Sequence, residues 1–209
     1  MAEQLQGIPD DPVVEDHEVR RILSRDAGPM LDALNELSTK RPDHSALPVL
    51  IAAWEGNRNR EPNLNWDEMY REDVRFALAY ELTRAHVKGA GGIPVESIAD
   101  FARGRLNDAS NPVEMEQPIY LLALAGEDND IARVQKLLET NPSPVFFFHG
   151  VTALGSSCSP LAASALDSIA QKVPQDFEAS LLKQQRNKTA AFRAKWCDAR
   201  DAADESSSI

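Results

Sequence analysis

The sequence predicts an all-α protein of stacked antiparallel helical hairpins, a short α-solenoid-like array, with an N-terminal helical cap. Three observations carry this expectation. Strand signals are scarce: aromatic content is 6%, and no Asn-Gly or Asp-Gly turn joins two β-branched runs. Helix punctuation recurs, since Pro29, Pro48, Pro94, Pro112, Pro118, Pro144 and Pro160 each stand ahead of apolar, Ala-rich or Leu-rich stretches, and proline fits the first turn of a helix. Thirdly, Asn111-Pro112 and Asn141-Pro142 lie thirty residues apart, as do LLALAG at 121–126 and VTALGS at 151–156. That spacing marks a candidate internal repeat.

About nine helices follow. Residues 1–12 are polar and proline-bearing and are expected to be loose. Helices are expected over 13–24, over 29–38 with Leu31, Leu34 and Leu37, and over 46–55 with Leu47, Leu50, Ile51 and Trp54 on one side. These make up the cap, 13–55. The turn-rich segment GNRNREPNL at 56–64 separates it from a helical array over 65–197. Asn65 with Glu68 opens a helix over 66–87 whose apolar residues, from Trp66 to Ala85, cover more than half the helical wheel. So wide an arc needs neighbours on several sides. Lys88 to Gly92 ends it, and Pro94 opens a helix to Leu106 with Ile98, Phe101 and Ala102 inward.

In the repeat, each unit pairs a nearly chargeless helix (Pro118 to Ala125; Pro144 to Leu154) with an amphipathic one. Ile131, Val134, Leu137 and Leu138 mark one stripe, and Leu161, Ala165, Leu166 and Ile169 the other. In stacked hairpins the first kind is covered on both sides and the second on one. Gln117-Pro118-Ile119-Tyr120-Leu121-Leu122-Ala123, followed by Gly126 and by Ile131 to Leu138, resembles the ankyrin repeat, and the pairing is similar to HEAT-like hairpins. Gln117 stands where that pattern has Thr, and Tyr120 where it has His. The resemblance implies helical stacking and a protein-binding surface. A final helix after Pro174 carries Phe177, Leu181, Phe192 and Trp196, interrupted by Gln185 and Lys188, which suggests a kink, an exposed turn or a partner. Residues 198–209 are expected to be disordered.

Composition narrows the function. The formal charge is −11, and the acidic surplus is concentrated in two stretches: residues 1–40 carry 9 acids and 4 bases, and residues 111–182 carry 9 and 3. Such a field repels nucleic acid and anionic lipid and suits a basic protein partner. Two cysteines are too few for a disulfide scaffold, and no run approaches the roughly 20 apolar residues that span a bilayer. A soluble, cytoplasmic, reducing-compartment protein is expected.

Chemistry-bearing constellations are few. His17, His44, His86 and His149 show no metal-ligand spacing, so neither a metal nor another cofactor is expected. Cys158, ahead of a helix N-terminus, is the best nucleophile candidate, with His149 as its conceivable base, yet an ordinary loop thiol is the default and Cys197 reads as packing. Gly89 to Gly92 lacks the Lys-Ser/Thr of a P-loop. Glu81 falls in the apolar arc and can act as a raised-pKa acid or pair with Arg84. Asp128, Asn129 and Asp130 lack the remainder of a calcium loop, leaving Asp130 as a helix cap. The expected function is therefore non-catalytic protein binding: an acidic immunity, inhibitor or adaptor protein that engages a basic toxin or nuclease domain through Glu127, Asp128 and Asp130. The alternative is a small all-helical enzyme with a site near Cys158 and His149, or near Glu81 and His86.

Overall fold

The computed structural model describes residues 47–60, 64, 66–87, 90–140, 144–172 and 177–197. The expected helices over 13–24 and 29–38, the loose segment 1–12, the Asn65 cap, Asn141-Pro142, His17, His44 and the tail 198–209 lie outside the described residues. So do the side chains of Glu68, Phe146, Phe177 and Trp196. Every regular element among the described residues is helical: α1 Leu47–Glu55, α2 Trp66–Met69, α3 Glu72–Val87, α4 Val95–Asp108, α5 Pro112–Ala125, α6 Asp128–Thr140, α7 Pro144–Leu154, α8 Leu161–Lys172 and α9 Phe177–Phe192. A π-helical turn, Arg193–Cys197, continues α9. The chain divides into two compact units between Ala85 and His86. Segment 56–64, expected as the boundary, belongs to the first.

In the first unit, α1 buries Val49, Leu50, Ala52, Ala53 and Trp54 and stops at Gly56. The Gly56 N–H donates to Ala53 O and the Asn57 N–H to Ala52 O, which satisfies two carbonyls that the helix end would otherwise leave open. The left-handed backbone this requires, φ 68° at Gly56, suits a residue without Cβ, and a Cβ there would also collide with the Tyr70 hydroxyl. A third carbonyl of that last turn, Trp54 O, accepts from Arg75 Nη1 at 2.7 Å, while the guanidinium lies 3.8 Å from the centre of the Trp54 ring. Burial pushes the Arg75 pKa below its ordinary value.

The continuous helix expected over 66–87 is two helices, α2 and α3. Arg71 folds its guanidinium onto Asp73, with Nη2–Oδ2 at 2.9 Å, and Asp73 Oδ1 accepts from the Val74 N–H. These local bonds start α3 afresh with Glu72 and Asp73 in its first turn, where negative charge complements the helix dipole. Of the predicted arc, Val74, Leu78, Leu82 and Ala85 are buried on α3, joined by Ala79 and Val87, whereas Phe76, Ala77 and Tyr80 are half-buried and Tyr70, ahead of α3, is exposed.

The second unit is built on α5. It packs against α4, α6 and α7, while α8 packs against α6, α7 and α9, and α9 also meets α7. Burial follows the two patterns read from the sequence except at Leu137, which is half-buried, and Leu161, which is exposed. α5 hides Pro118, Ile119 and the run Leu121, Leu122, Ala123, Leu124, whereas α6 hides Ile131, Val134 and Leu138, and α8 hides Ala162, Ala165, Leu166 and Ile169. α5 differs from expectation at its start, which lies at Pro112, six residues before Pro118. The Asn111 side chain accepts from the N–H groups of Val113 and Glu114, and Glu114 accepts from the N–H and hydroxyl of Ser110. This double cap adds a turn and a half that lacks a core face. Serine donation holds the Glu114 carboxylate below its ordinary pKa.

Leu138, 1% exposed, presses both its methyl groups against the space beside Gly150 of α7. We expect Leu138→Ala to cost about 2–5 kcal/mol, read as a lower urea midpoint at unchanged slope. Exposed Lys136→Ala on the same helix is expected to stay within about 0.5 kcal/mol of wild type.

Candidate functional site

The turn between α5 and α6 carries the three acidic residues singled out from the sequence, and the structure gives them different positions. Glu127 and Asp128 are exposed, and Asp130 is buried. Asp130 is the third residue of α6, and its carboxylate accepts from the Glu127 N–H at 3.0 Å, one half of a capping box. The same carboxylate receives a forked pair from Arg103 of α4, Nη2–Oδ2 at 2.8 Å and Nε–Oδ1 at 3.1 Å. Arg103 Nη1 also reaches Glu96 Oε1 at 2.6 Å and Asp100 Oδ1 at 2.7 Å. Bonding to Asp130 first, then to Glu96 and Asp100, raises the guanidinium above its ordinary pKa. Asp130 thus holds α6 to α4. Asp128 Oδ1 accepts from Ser159 Oγ, 3.2 Å away in the α7–α8 loop.

Three further cations of this unit are likewise engaged by their own fold. Arg133 donates to Asn107 at 2.7 Å, Arg186 pairs with Asp167 at 2.7 Å, and Lys172 pairs with Glu139. Gln135 and Ser168 also donate to Glu139, so that Lys172 first, then Gln135 and Ser168, hold its carboxylate below the usual range. Among the described residues, no cation lies within ion-pair distance of the Glu127 or Asp128 carboxylates. This turn therefore keeps its negative charge.

The cysteine expectation is corrected. Cys158 and Cys197 are joined by a disulfide across 39 residues of sequence, with Cα atoms 5.4 Å apart. Cys158 is neither a loop thiol nor, in this state, a nucleophile, because its sulfur is bonded to another sulfur. The loop Gly155 to Pro160 lies under α9 and the π turn: Lys188 donates to Ser156 Oγ at 2.8 Å and Arg193 donates to Cys158 O. Gln185, one of the two polar interruptions of α9, is buried against Gly155. His149 is half-buried, and its ring meets Phe148 edge-on at 5.7 Å.

Glu81 is buried, with Arg84 Nη1 3.8 Å from its Oε1, the spacing of the ion pair expected at positions three apart. It belongs to the first unit, while His86 opens the second. Two features escaped sequence reasoning. The Arg103 hub left a signal, since Glu96, Asp100 and Arg103 share one helical face at spacings of four and three. The disulfide left none, because two cysteines 39 residues apart fix no distance in space.

No helix among the described residues is long and apolar enough to cross a membrane. Comparison with protein-family models, with curated proteins and with solved structures finds no match to this chain.

Two measurements probe this network. In a double-mutant cycle of Arg103→Met and Asp130→Asn, each single change is expected to cost about 2 kcal/mol, with a coupling of about 1–2 kcal/mol, because either one strands a partly or fully buried polar group. For Glu139 the folded pKa lies below the unfolded one. Its stabilisation is therefore complete above the unfolded value, about pH 4.3, and disappears as pH falls through the folded pKa. The gap in unfolding free energy between wild type and Glu139→Gln is expected to be constant above about pH 5 and to close on acidification.

Proposed function

We propose that this is a non-catalytic protein-binding protein, an acidic immunity, inhibitor or adaptor protein that engages a basic partner such as a toxin or nuclease domain in the cytoplasm. On this reading α4 to α9 form a short array of stacked helical hairpins, α5 over α7 in one layer and α6 over α8 in the other, with the first unit including the N-terminal helical cap. The packing of α5 on α7 and of α6 on α8 supports it, as does the resemblance of 117–138 to helical-hairpin repeats. One observation carries the functional reading: Arg103, Arg133, Lys172 and Arg186 are engaged within the fold, while Glu127 and Asp128 are exposed with no cation at ion-pair distance among the described residues. Charge left outward in this way attracts a basic surface and repels nucleic acid.

The partner-facing residues are accordingly Glu127 and Asp128, while Asp130 keeps its turn in shape through Arg103. Charge reversal by Glu127→Lys with Asp128→Lys is the test, using the basic protein that copurifies stoichiometrically from the native host. The variant is expected to keep its far-UV circular dichroism and unfolding midpoint but to associate about tenfold more slowly at low salt, the difference shrinking near 0.5 M salt as screening takes over. An unchanged association rate at every salt concentration refutes this docking face.

A further inference from the structure

The joint between α9 and the 155–160 loop combines two uncommon features. Gln185 is buried, yet its Oε1 meets no hydrogen-bond donor among the described residues. It faces Gly155 so closely that a Cβ there would overlap it. A buried carbonyl oxygen left without a donor favours opening, because water would satisfy it. Thr189 donates its hydroxyl back to Gln185 O at 2.8 Å, a bond that bends helices rather than straightening them. Beyond Phe192 the chain leaves α-helical winding for the π turn Arg193–Cys197, a winding rare in proteins and concentrated at functional sites. This change of winding brings Cys197 to Cys158. An unsatisfied oxygen and an uncommon helical turn thus meet at one place, and a covalent bond closes that place.

The two cysteines also differ in access. As residues, Cys197 is fully buried, whereas Cys158 is half-exposed, lies in the loop ahead of α8, and accepts at its carbonyl oxygen from Arg193.

From this geometry we propose that the Cys158–Cys197 disulfide is a thiol-responsive latch: oxidised, it clamps the π turn onto the 155–160 loop, and reduced, it releases that turn, Arg193–Cys197, while α4 to α8 stay folded. The chemistry is exchange with a small dithiol. One thiolate of the dithiol attacks Cys158 Sγ, the Cys158–Cys197 bond breaks, and its electron pair leaves on Cys197 sulfur, which takes up a proton. The second dithiol sulfur then displaces Cys158, giving two protein thiols and one oxidised dithiol. A small-molecule disulfide reverses both steps and recloses the latch. The proposal does not rest on the docking role of Glu127 and Asp128, although the 155–160 loop touches that face where Ser159 Oγ donates to Asp128 Oδ1.

The full-length protein is treated with dithiothreitol without denaturant, its thiols are counted by alkylation and mass spectrometry, and amide hydrogen exchange is followed by peptide before and after treatment. The expected result is no free thiol before reduction and two after it. Exchange should accelerate at least tenfold in peptides covering 155–160 and 193–197, with unchanged rates in α5 and α6 and recovery on adding oxidised glutathione. Cys158→Ser with Cys197→Ser, made as a second route to the open state, should reproduce the reduced pattern without reductant. Two free thiols before treatment, a disulfide that resists the dithiol until denaturant is added, unchanged exchange at 193–197 in the reduced protein, or acceleration throughout α4 to α8 would each overturn the proposal.

Discussion

The second unit depends on the need of α5 to be covered on several sides. From Pro118 to Leu124 it offers water almost nothing but apolar surface, and burying such side chains yields about 25 cal/mol per Å² removed from water. A helix with one apolar stripe can settle against a single neighbour. α5 cannot, and it is met by α4, α6 and α7. α6 and α8, each with a single stripe, then pack against each other. The polar bonds between helices, such as Arg103 to Asp130 and Lys172 to Glu139, fix the alignment of helices that apolar burial has already drawn together.

Much of this was legible because it is periodic. The stripes Ile131, Val134, Leu137, Leu138 and Leu161, Ala165, Leu166, Ile169 name the helix and most of its buried face, missing only at half-buried Leu137 and exposed Leu161, and the chargeless α5 and α7 announce that they are covered more widely. What escaped the sequence was decided by particular contacts. The break between α2 and α3 has no proline or glycine to mark it, and at it Asp73 accepts from Arg71 and from the Val74 N–H. The early start of α5 was masked by Glu114 and Glu116, which interrupt the apolar pattern although the Asn111 cap was in plain view. Gln185 and Lys188 were visible as interruptions of the last stripe. Only the structure shows that one is buried against Gly155 and the other reaches Ser156.

The acidic turn shows the same division. Composition places the negative surplus in 111–182, but counting charges cannot distinguish a carboxylate that holds two helices together from one facing water. Asp130 is of the first kind, because it sits at the third position of α6, where its side chain can reach back to the Glu127 N–H and across to Arg103. Glu127 and Asp128, one turn of backbone away, are of the second. Neighbours in sequence are thus divided between architecture and surface by where the helix begins.

Pro118 gives α5 two unequal parts. Lacking an N–H, it cannot donate to the carbonyl of Glu114, and it also marks the point where burial starts, since Pro112, Val113, Glu114 and Gln117 are exposed. The opening turn and a half is therefore fastened by its own cap and by little else. Among the described residues this opening stretch is a place where evolution or an engineer can lengthen the chain, or a protease nick it, while the apolar layer that starts at Pro118 keeps its neighbours.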